Sequence, residues 1–99
     1  MGPKEINPLT DAAQKRFFEA LDILGLPYTT FCNKYGLHQP KYSHVRSGTI
    51  HGYKDNSYKR IDLEAIIYIV RDYHISAEWI LTGQGQILNY PDVKVRMEC

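Results

Sequence analysis

The stretch YTTFCNKYGLHQPKYSHVRS, residues 28–47, decides how this chain is read. Phe31 and Tyr35 are four apart, so they share one face of a helix. Cys32 is small and lies beside that face, where a second helix can approach closely. Gly36 then stops the helix, since glycine accepts the left-handed conformation that such a stop usually needs. Leu37 follows at once as an apolar turn residue. Pro40 suits the first turn of a new helix, where its missing N–H is no loss. Tyr42 and Val45, three apart, give that second helix a buried face. The positions between and beside them hold Lys41, Ser43, His44 and Arg46, all hydrogen-bonding side chains pointing the other way. The stretch therefore reads as two short helices joined by a tight turn.

Upstream, Phe17, Leu21 and Leu24 recur at helical spacing with Ala20 in the same stripe. Thr10 is the expected N-cap of that helix, Asp11 suits its positive end, and Gly25 closes it. Residues 1–9 carry two prolines and few large apolar side chains, and read as an arm. Lys15 and Arg16 are expected to lie on the surface.

Downstream, residues 48–59, GTIHGYKDNSYK, lack a clean period and are rich in turn formers. They read as a loop, which ends the second motif helix at Ser47. Tyr53, Lys54, Tyr58, Lys59 and Arg60 make this loop a candidate clamp on a sugar-phosphate backbone. Residues 61–73 form the next helix. Leu63, Ile66, Ile67, Val70 and Tyr73 are its expected core stripe, and Tyr68 and Ile69 fall off that line. Ser76 caps a short last helix closed by Gly83, with Trp79 and Ile80 locking it to the core. Residues 89–99 form a tail in which Val93, Val95 and Met97 alternate with charged residues, a strand-like period.

At 99 residues the chain is one domain, and a hydrophobic content of 43% is ordinary for a globular one. The net charge of +1 points to no particular partner, but its distribution does. Six basic residues face Asp55 alone between Lys34 and Arg60, a local charge of +5, against six basic and ten acidic residues, or −4, elsewhere. A basic segment centred on the second motif helix is what attraction to phosphate requires.

The run of residues 28–47 resembles the helix-turn-helix of Cro and lambda-repressor type proteins, the Xre family. Cys32 holds the small position four before the glycine. Phe31, Tyr35, Leu37, Tyr42 and Val45 hold the apolar ones. Tyr28 stands where the family commonly has glutamine, and Pro40 where it has serine or another polar residue. A second run, ISAEWILTGQGQIL, is similar to the string that closes the DNA-binding domain in many phage-repressor-like members. The resemblance implies an all-α fold of about five helices, with a DNA-binding domain over residues 10–88. It also implies a transcription regulator, repressor-like, working as a homodimer on palindromic duplex DNA. The second motif helix, residues 39–47, then enters the major groove. Gln39 is expected to pair with adenine, Lys41 and His44 to donate to guanine, and Ser43 to meet either base edge. Arg46, Lys59 and Arg60 are better placed for phosphates. The rival reading is an interaction or antitoxin-like module on the same fold that has lost DNA binding.

Other chemistry finds little support. Cys32 and Cys99 suggest no disulfide framework, which points to a reducing cytoplasm. The first residues lack the apolar run of a signal peptide, and no run reaches the ~20 apolar residues of a membrane span. His38, His44 and His51 lie in one region, but their spacing fits no compact zinc site, so no metal or cofactor is expected. Asp62 and Glu64 diverge around a helix, and Gly83 and Gly85 follow a helix instead of opening one. No enzymatic activity is expected.

Overall fold

The computed structural model describes residues 7–53 and 58–88. The first six residues, Lys54 and the alternating tail at 89–99 lie outside them. Among the described residues there are five helices: α1 (Pro8–Leu24), α2 (Tyr28–Tyr35), α3 (Gln39–His51), α4 (Leu63–Tyr73) and α5 (Ala77–Thr82). The fold is all-α, and the only extended pairing among the described residues is an isolated antiparallel bridge between Ile75 and Leu88.

The first helix starts three residues earlier than its sequence suggests, with Thr10 inside it instead of capping it. Asn7 is the N-cap, and its side-chain oxygen accepts from the backbone N–H groups of Leu9 (2.9 Å) and Thr10 (3.3 Å). Pro8 can begin the helix because the first turn has no use for its missing N–H. Phe17, Phe18, Ala20 and Leu21 of α1 are buried. The Phe17 ring meets Phe18 edge-on at 5.1 Å, Phe31 at 5.5 Å and tilted Tyr42 at 6.3 Å. Fully burying a phenylalanine contributes about 1.5–3 kcal/mol and a favourable ring pair about 0.5–1.5 kcal/mol more. Phe17 is thus the residue through which α1, α2 and α3 share one core.

The turn between α2 and α3 is as the sequence implies. Gly36 has φ 69° and ψ 33°, left-handed, and Leu37 N–H donates to the Cys32 carbonyl at 2.9 Å. Phe31 and Cys32 are fully buried, as are Tyr42 and Val45 across the turn. Burial, followed by the charge of Asp62, raises the Cys32 thiol above its ordinary value, which suits a core residue.

Two expectations fail further on. The third helix does not end at Ser47 but runs one more turn to His51. Gly48 is helical, and its bare Cα is a socket: a Cβ there would overlap the Tyr53 ring. Tyr53 folds back over that socket, and its hydroxyl donates to Asp11 Oδ1 at 3.0 Å, tying α3 to α1. The Tyr58 hydroxyl is also buried, so neither tyrosine presents its oxygen to a phosphate outside. In α4 the buried residues are Ala65 and Ile69, while Leu63 is 70% and Ile67 48% exposed. Ile66, Val70 and Tyr73 are half-buried, as is Tyr68. The helix is apolar on most of its circumference, and its neighbours select a face centred on Ile69.

The last helix is short and held at both ends. Ser76 Oγ accepts from Trp79 N–H at 3.1 Å, and Ile80 is fully buried. Arg16 reaches across from α1 to donate from Nε to the Ile80 carbonyl at 2.7 Å. That bond satisfies a helix-end carbonyl and gives Arg16 a structural role instead of a surface one.

Candidate nucleic-acid interface

With Tyr42, Val45 and Gly48 turned inward, α3 presents Ser43, Arg46, Ser47 and Ile50 to solvent. Gln39, Lys41 and His44 are half-buried at its N-terminal half. All seven sequence-nominated side chains can therefore be placed, but they do not form one uniform surface.

Gln39 begins α3 and is tethered to α2. Its amide nitrogen donates to Asn33 Oδ1 at 3.1 Å and, longer, to the Thr29 carbonyl at 3.5 Å. Asn33 has no place in the sequence reading; its outward position six residues before Gln39 is the only signal it gave.

Lys41 turns back toward the protein. Its ammonium lies 2.7 Å from Asp62 Oδ1, at the start of α4. The other carboxylate oxygen accepts from the Tyr42 hydroxyl at 2.8 Å, and that hydroxyl accepts from Asp62 N–H at 3.2 Å. The hydrogen bond from Lys41, aided by that from Tyr42, holds the Asp62 carboxyl below its usual range despite partial burial. Burial is the main cause that pushes Tyr42 well above the usual tyrosine value. This three-residue knot fixes the start of α3 against the start of α4.

Beside the knot lies a hollow of about 410 Å³ lined by His38, Pro40, Lys41, His44 and Lys59. Four of the five carry nitrogen groups able to donate to an anion. The hollow sits where the N-terminal turn of α3 ends, so the helix dipole adds to its preference for negative charge. Tyr53 backs it: the His44 and Tyr53 rings lie 5.7 Å apart.

The remaining basic residues divide. Arg46 is exposed, with its guanidinium 6.0 Å from the Tyr28 ring. Lys59 reaches the basic hollow, whereas Arg60 stacks at 6.0 Å over Tyr58 and lines a second, apolar hollow. Lys34 belongs to another face, between the Tyr35 and Tyr73 rings at 5.4 and 5.3 Å. There Tyr35 stacks on Tyr68 at 4.1 Å and donates to Asp72. Arg71 and then Tyr35 hold the Asp72 carboxyl far below the carboxylate range. The basic run of the sequence is thus split by the fold, and Lys34 drops out of the candidate interface.

Among the described residues no three His, Cys, Asp or Glu side chains are grouped to hold a metal ion. No described helix is long and apolar enough to cross a membrane. No family model, curated protein or solved structure matches the chain.

Proposed function

We propose that this protein binds double-stranded DNA sequence-specifically through α3 and regulates transcription, repressor-like, as a cytoplasmic homodimer. The observation that carries the reading is the basic hollow beside an exposed polar helix face. His38, Lys41, His44 and Lys59 surround a recess at the N-terminal end of α3. Ser43, Arg46 and Ser47 continue the polar surface along the helix. A helix entering the major groove needs both features: donors that meet phosphates at the groove edge, and side chains that reach base edges between them. The resemblance of residues 28–47 to Xre-type helix-turn-helix proteins supports the same geometry.

In this reading Gln39, steadied by Asn33, meets adenine, and Ser43 and His44 meet base edges nearby. Lys41 shares its charge between Asp62 and the DNA. Arg46, Lys59 and Arg60 bind phosphates.

The test is selection of bound sequences from random duplex DNA, with affinity then measured at several salt concentrations. Neutralising about four to six phosphates per subunit gives a slope of log affinity against log salt of roughly −4 to −5. A slope near zero on every duplex would sink the proposal.

A further inference from the structure

The last turn of α3, residues 48–51, lies past Ser47, where the resemblance to the helix-turn-helix family stops. The fold nevertheless holds this turn in place. Gly52 N–H donates to the Gly48 carbonyl at 2.8 Å and closes it. Tyr53 lays its ring over the Gly48 socket and is itself anchored on Asp11, so the turn is clamped from its inner side. On its outer side stands Ile50, 56% exposed and not packed against the core.

Ile50 follows Ser43 by seven residues, close to two whole helical turns. The two side chains therefore point the same way and stand about 10.5 Å apart along the axis. Ser47 lies between them and Arg46 beside them, all exposed, so the outward stripe of α3 runs from Ser43 to Ile50. Among the described residues, Ile50 is the one large apolar side chain exposed on α3. One exposed isoleucine is ordinary on a protein surface, and it is too little apolar area to hold a protein partner. It is enough to cover one methyl group. The major groove displays such a group at every thymine, and apolar side chains recognise it by contact. A β-branched side chain in a helix is also nearly confined to one χ1 rotamer, so Ile50 loses little freedom when it is covered.

We propose, on the reading that α3 enters the major groove, that Ile50 is a specificity-determining residue that reads the C5-methyl of one thymine. A span of about 10.5 Å covers about three base-pair steps of about 3.4 Å each. The thymine thus lies about three pairs from the base that Ser43 meets. The clamp of Tyr53 on Gly48 sets the depth at which Ile50 arrives.

The experiment starts from the duplex that the wild-type chain selects. Each thymine in it is replaced singly by uracil, which removes the methyl and keeps the hydrogen-bonding atoms of the base. Uracil at one position should weaken wild-type binding about fourfold, the worth of one buried carbon. Ile50→Ala should bind the thymine duplex at least about fourfold more weakly and show no uracil penalty, while Ile50→Val should keep part of it. Its affinity for random duplex, its salt slope and its melting temperature should match those of the wild type. Ser43→Ala should leave the uracil penalty as it is. A wild-type chain indifferent to uracil at every thymine overturns the proposal. So does a penalty that survives in Ile50→Ala, or an Ile50→Ala protein that loses affinity equally for every duplex. If the wild type meanwhile binds its selected site with a steep salt slope, any of these results removes this contact alone and leaves the DNA reading standing. A chain that binds no duplex removes both.

Discussion

The two hollows linked by the Lys41–Asp62 pair, a basic one lined by Lys41 and an apolar one lined by Asp62, Leu9, Leu63 and Leu81, face opposite problems of solvation. The basic one is at ease in water: Lys59 is exposed, Lys41 is paired, and the recess gains only when an anion arrives. The apolar one is ill at ease, because Leu9, Leu63 and Leu81 lose by being wet and gain on being covered. Charged surfaces can wait for a partner at little cost; apolar surfaces create a standing demand for one. The knot of Lys41, Tyr42 and Asp62 holds the two at a fixed distance, so one helix junction sets the geometry of both.

Salt should separate the two surfaces most sharply. Between 50 and 200 mM salt, a slope of roughly −4 to −5 lowers DNA affinity about 250- to 1,000-fold. Uptake of an uncharged apolar dye by the apolar hollow should change little over that range. Titration of both equilibria in the same buffers measures this, and equal salt dependence would erase the distinction.

Next in size is Gly48→Ala. The added methyl must displace the Tyr53 ring that backs the basic hollow and break its bond to Asp11, at a cost of about 2–3 kcal/mol. Gly36→Ala meets no neighbour and bears only the left-handed backbone penalty, about 1–2 kcal/mol. Urea unfolding of both variants tests the order; a Gly48→Ala protein as stable as the wild type would mean that Tyr53 packs elsewhere.

Base reading comes third. Gln39→Ala should cost about 1–2 kcal/mol of discrimination at one base pair and leave non-specific binding nearly unchanged. Asn33→Ala should give a weaker form of the same change, since it frees the Gln39 amide. Arg60→Ala should weaken all duplexes alike and reduce the salt slope by about one. If Arg60→Ala alters base preference while Gln39→Ala does not, α3 is the wrong helix in the groove.

The smallest effects are those of pH. The carboxyl of Asp62 is depressed in the folded state, so its stabilisation is full above the unfolded value near 3.9 and is lost as pH falls through the folded one. Asp62→Asn should flatten the acid limb of a stability–pH curve. Tyr42 and Tyr53 are raised, chiefly by burial, so their contribution is full below about pH 10 and declines as pH rises beyond it. Tyr53→Phe should remove part of that alkaline loss, and an unchanged alkaline limb would count against the inward hydroxyl.

Legibility followed the number of apolar residues available. In the helix-turn-helix few side chains are apolar, and their spacing around Gly36 admits one arrangement, which the fold adopts in Phe31, Cys32, Leu37, Tyr42 and Val45. In α4, eight of eleven residues are apolar or aromatic, so several stripes fit a helical period and the sequence cannot rank them. Contact with the rest of the core chose Ala65 and Ile69 and left Leu63 outside. Glycine shows the same limit: Gly36 and Gly48 look alike as letters, yet one is a left-handed stop and the other a helical socket for a ring.

What the sequence determined by itself is local: the helix stops at Gly25, Gly36 and Gly83, the cap at Ser76, the all-α class, the tight turn, and a basic segment about its second helix. These depend on residues within a turn or two of each other, where backbone sterics and side-chain spacing act directly. What only the tertiary structure decided is every partnership across the chain. Arg16 with the end of α5, Tyr53 with Asp11, and Lys41 with Asp62 join residues 64, 42 and 21 positions apart. No local rule names such partners, because hydrogen bonds and charges act over a few ångströms of space, and only the packed helices say which residues lie within that reach.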